Sequence, residues 1–75
     1  MLSNSPTISN DVFLTISETD RRLLGECVLY LMNYGSFPSM FKYLWARFNT
    51  EQKLLVEFIL HKNGFNIDSQ GILVL

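Results

Sequence analysis

The sequence has one cysteine, Cys27, and one histidine, His61. A single thiol cannot form an intrachain disulfide. A structural zinc site built on cysteine and histidine is excluded for the same reason. Basic clusters are missing beyond Arg21-Arg22, and the net charge is −1. A nucleic-acid binder normally carries a lysine/arginine stripe to neutralise phosphates, so its absence argues against nucleic acid as a partner. The longest unbroken apolar run, CVLYLM at 27–32, falls far short of the roughly 20 residues that a membrane span needs. No membrane partner is expected. The N-terminus MLSNSPTISN lacks a basic n-region and a long apolar stretch, so it does not read as a secretory signal. With a free thiol, this places the expected location in the cytoplasm.

Catalytic motifs are absent as well. The four glycines stand singly, so there is no phosphate-cradling loop. The carboxylates Asp11, Glu18, Asp20, Glu26, Glu51, Glu57 and Asp68 are scattered, with no pair set for acid/base work. Cys27 lies beside Val28 and Leu31 with no nearby His or Lys in sequence to activate it, and reads as a packed core thiol. His61 reads as a partly exposed residue near a helix end. The expectation is a non-enzyme with no catalytic residues, no cofactor and no metal.

What the chain does have is apolar content in a short length. Hydrophobic residues make up 48% and charged residues only 17%, which rules out a disordered chain. Seventy-five residues bury only about 60% of their unfolded surface. Such a core alone supplies roughly 3–5 kcal/mol, and small domains often recruit a disulfide, a metal or a partner. With the first two excluded, oligomerisation or partner binding is the remaining route.

The expected fold is mainly α: a three-helix domain at residues 11–75 behind a disordered Ser/Asn-rich arm at 1–10. VFLTI at 12–16 is either a short strand or an apolar lead-in to the next helix. Ser17 is placed as an N-cap, with Asp20 at the capping-box position, for a helix at about 18–34. Leu24, Cys27, Val28 and Leu31 share one face of it, and Gly35 ends it. A second helix spans about 38–48, with the stripe Phe37, Phe41, Leu44, Trp45 and Phe48. Asn49 and Gln52 form a capping box for a third helix at about 50–63, with Leu54, Leu55, Phe58 and Ile59 expected inward. Gly64 and Phe65 suit its C-terminal cap. FNIDSQGILVL then reads as a β-hairpin at about 65–75, which strand 12–16 is in a position to join.

Four apolar residues fall on faces otherwise polar. Leu29 lies among Arg22, Glu26 and Asn33, and Tyr43 lies opposite the second helix's stripe. Val56 and Leu60 share the face of Lys53, opposite Leu55 and Phe58. Three accounts remain open for them. Scattered exposed apolar residues are normal. The third helix, sandwiched between the other helices and the sheet, would bury Val56 and Leu60 within the chain. Alternatively, Leu29, Tyr43, Val56 and Leu60 are protein-binding residues of a dimer or partner surface, because contiguous apolar patches rarely stay exposed.

ETDRRLLGECVLYLMNYG followed by MFKYLWARF resembles the small enterobacterial connector proteins of two-component signalling, which regulate biofilm formation and acid resistance. Leu24, Gly25, Val28, Leu31, Met32 and Gly35 carry the resemblance, which spans residues 18–62. It implies an all-α, dimer-forming regulator that acts by contacting a signalling protein, a response regulator being one such partner, without catalysis. The functional expectation is therefore a small regulatory protein working by protein–protein interaction as a homodimer. The alternative is a winged helix-turn-helix DNA binder, since three helices followed by a hairpin fit that order. On the first reading, Leu60→Asp loosens self-association with little loss of helicity, measured by light scattering and circular dichroism.

Overall fold

The computed structural model describes residues 10–74. The arm expected at 1–10 lies outside them, except for Asn10. The element order is α1 (Asn10–Leu14), α2 (Glu18–Tyr34), α3 (Phe41–Arg47), α4 (Thr50–Lys62), β1 (Asn66–Ile67) and β2 (Leu73–Val74). The three expected helices and the C-terminal hairpin are present. The hairpin departs from the all-helical architecture implied by the resemblance.

One expectation is corrected at the N-terminal end. Residues 12–16 form no strand; α1 and the turn after it occupy them. Local hydrogen bonds satisfy this backbone: Thr15 N–H donates to the carbonyls of Asp11 and Val12, and Ile16 N–H to that of Phe13. The Thr15 hydroxyl also donates to Val12 O at 2.6 Å. Position explains why the sheet gains no third strand. The Gln52 amide, in the first turn of α4, donates to Thr15 Oγ1 at 2.9 Å. β1 instead follows the far end of α4, a helix about 20 Å long at 1.5 Å per residue.

Ser17 caps α2 by accepting from Asp20 N–H at 3.1 Å. Asp20 does not close the expected box; its carboxylate pairs with Arg47 at the end of α3. α2 stops where Gly35 turns left-handed at φ 75°, a conformation that costs other residues roughly 1–2 kcal/mol. α3 begins at Phe41, later than expected, because Phe41 N–H donates to Pro38 O in a tight turn first. Phe37 stacks on Phe41 with ring centroids 3.8 Å apart.

α4 has the expected caps. Asn49 Oδ1 accepts from Gln52 N–H at 2.8 Å, and Gln52 Oε1 accepts from Asn49 N–H at 2.9 Å. At the other end, Phe65 N–H donates to Leu60 O and Gly64 N–H to His61 O, the paired bonds of a Schellman motif. The chain then reverses into the antiparallel hairpin, with Asn66 opposite Val74 and Ile67 opposite Leu73. Asp68 holds the turn: its carboxylate accepts from the N–H groups of Gln70 and Ile72 at 2.8 and 3.0 Å.

One apolar cluster joins these elements: Ile16, Leu24, Cys27, Leu31, Phe41, Leu44, Trp45, Phe48, Leu55, Val56 and Leu60. α1 and β1 both pack on α4, and α2 packs on α3. The hairpin reaches α3 through Gly71, which lies against the face of the Trp45 indole. A Cβ at Gly71 would stand 2.8 Å from Trp45 Cγ, and its φ is +80°. Both the backbone conformation and the space therefore require glycine. Gly71→Ala is expected to lower stability by about 2–4 kcal/mol, combining left-handed strain with overpacking. Urea unfolding followed by circular dichroism checks this.

Candidate protein-interaction surface

The rotation of α4 decides which of its side chains are presented. Leu54, Leu55, Val56, Phe58, Ile59 and Leu60 crowd into seven positions, so the helix is apolar on both sides. The core takes Val56 and Leu60, each 0% exposed, together with Leu55. Leu54 and Phe58 are left outside at 50% and 42% exposed. Of the residues expected inward, Leu55 is buried and Ile59 packs partly buried against the core, whereas Leu54 and Phe58 face out, so the helix is rotated from the expected orientation. Val56 and Leu60 are core residues, so they do not form a surface in this conformation, and Leu60→Asp would place a carboxylate in the centre of the core. The arrangement matches the account in which this helix is covered by other helices and the hairpin of the same chain.

Leu29 and Tyr43 do face solvent, at 62% and 64% exposed. They stand on different helices, and neither lines the groove beside α4. The ammonium of Lys42 lies 5.2 Å from the centre of the Tyr43 ring. The four expected interface residues are thus not brought together.

The residues that sequence reasoning missed are Leu54 and Phe58, with Ile67 beside them. Together with Glu57, His61 and Asn66 they line an open groove of about 330 Å³ between α4 and β1. The Schellman turn creates it by folding β1 back along the outer side of α4. His61 Nδ1 and Asn66 Oδ1 are 2.9 Å apart and fix the polar rim across the two elements. The Lys62 ammonium lies 5.3 Å from the Phe58 ring centre. An apolar floor between polar groups is the make-up of a contact surface for another macromolecule. The signal was present in the sequence as the apolar density of 54–60, interrupted only at Glu57, which one buried face could not absorb.

Among the described residues, no cluster of three His, Cys, Asp or Glu side chains is placed to hold a metal ion. No helix among them is long and apolar enough to cross a membrane. Cys27 is buried, and burial pushes its thiol up from 9.0 to about 11, with Glu26 adding to the rise. No known protein family, curated protein or solved structure matches this chain.

Two expectations follow. Leu60→Ala should cost about 2–5 kcal/mol through the cavity it leaves, while Leu54→Ala should cost under about 1 kcal/mol; urea midpoints of the two variants compare them. For Cys27, the unfolded thiol ionises near pH 9.0 and the folded one near about 11. Between these values the unfolded state releases its proton first. Stability from this group is therefore complete below pH 9.0 and falls as pH rises toward about 11. Cys27→Ser removes that loss, as read by unfolding midpoints across the same range.

Proposed function

We propose that this chain is a small non-enzymatic regulatory protein that acts by protein–protein contact, as a homodimer, on a signalling or transcription component. The observation that carries this reading is the outward apolar half of α4. Leu54 and Phe58 stay exposed although the same helix supplies two fully buried core residues. The chain also has one thiol, so no internal disulfide supports its small core. Covering the groove would add apolar burial worth about 25 cal/mol per Å². Leu29 and Tyr43 are candidates for a second contact, with the signalling partner. The resemblance of residues 18–62 to two-component connector proteins favours a response regulator in that role.

The helix-then-hairpin order supports the winged-helix alternative in shape. The outer face of α4 does not suit DNA, because Glu51 and Glu57 accompany Leu54 and Phe58 there, and carboxylates are repelled by phosphates. The hairpin turn Asp68-Ser69-Gln70-Gly71 carries no cation for a groove.

Light scattering behind size-exclusion chromatography should give twice the chain mass at high micromolar concentration. A clean monomer there would count strongly against the homodimer. Fluorescence anisotropy with duplex DNA should show no binding with a steep salt slope; such a slope would put the DNA reading first.

A further inference from the structure

The outer stripe of α4 is self-complementary, and we infer that it pairs antiparallel with α4 of a second copy of this chain about a two-fold axis. This assignment rests on reading that face as an interaction surface, and adds its occupant and register. Glu51, Leu54, Phe58 and Lys62 are all exposed. At 100° per residue they fall within an arc of about 80°. Their order along the helix is acidic, apolar, apolar, basic. Glu51 lies in the first turn and Lys62 in the last.

An antiparallel pair centred between Val56 and Glu57 sets Glu51 level with the partner's Lys62, and the symmetry repeats the pair at the other end. At 1.5 Å per residue, Leu54 then lies within about 1.5 Å, along the axis, of the partner's Phe58. The two leucines and two phenylalanines form the centre, with an ion pair closing each end. A parallel arrangement would set Glu51 on Glu51 and Lys62 on Lys62, so the charges select the antiparallel one. Such an interface is isologous and closes at two copies, without growing into a filament. Beside the arc, the groove of about 330 Å³ toward β1 offers a recess for the partner's Phe58 ring. Leu54 and Phe58 thereby gain the cover that their own chain does not provide.

Charge-reversed full-length variants test the register. Glu51→Lys places two lysines together at each end of its own dimer, and Lys62→Glu places two glutamates there. Each should self-associate roughly tenfold more weakly than the unaltered chain, as read by sedimentation velocity. Mixing the two variants should restore association as a heterodimer, because the lysine introduced in one chain then meets the glutamate introduced in the other. The preference should fade at high salt. All four sites are exposed, and circular dichroism verifies that the variants fold. Phe58→Ser should weaken self-association about 30-fold or more, as expected for a central aromatic anchor. If the unaltered chain dimerises but the mixture shows no preference for the heterodimer, this register is wrong while the homodimer reading stands. If the unaltered chain is a monomer throughout, the pairing and the homodimer reading fail together.

Discussion

Only part of α4's circumference can be buried, yet at 100° per residue its apolar side chains span about two thirds of it. That constraint organises the molecule. The helix is held at both ends. Gln52 closes its own cap and reaches Thr15 beyond α1, while Gly64 and Phe65 turn the chain back into the hairpin. Between these anchors Val56 and Leu60 are committed to the core, and their removal from water contributes on the order of 1.5–3 kcal/mol each. Leu54 and Phe58 take the complementary directions. The groove beside β1 is the geometric remainder of that choice.

This explains why some of the structure was legible in the sequence and some was not. End signals act locally, within three or four residues, and most read correctly: Ser17, Gly35, Asn49 with Gln52, and Gly64 all mark the ends they were expected to mark, whereas the start of α3 and the Asp20 box did not. The hairpin was equally plain from its turn residues. Helix rotation is a property of the whole fold. Leu54 with Phe58 and Val56 with Leu60 are two equally spaced i, i+4 pairs, and periodicity cannot rank them. The partners that rank them are distant in the chain. Of the two readings of VFLTI, the lead-in to the next helix stands and the strand does not, for a related reason. Its β-branched residues favour a strand, but a strand needs a neighbour, and α4 separates this segment from the hairpin.

The same structure gives the proposed regulator a simple division of labour. Its core is small and unlinked by covalent bonds, so surface contact offers the stabilisation that a larger chain would find inside itself. Leu29 and Tyr43 occupy other helices, and the proposed pairing through α4 would leave both exposed. Two surfaces on separate helices suit a protein whose task is to connect. Nothing in such a role needs a reactive group, and the buried Cys27 and the hydrogen-bonded His61 are consistent with structural duties.

The contact between Gly71 and Trp45 has a practical consequence. Trp45 is the sole tryptophan of the chain, and the hairpin turn covers its ring. Its emission therefore reports on the docking of the last few residues, whereas far-ultraviolet dichroism is dominated by α2 and α4. The protein carries two independent optical signals, one for its helical frame and one for the closing of its C-terminal end. Any loosening of the hairpin that leaves the helices intact would change the emission while the dichroism stayed as it was.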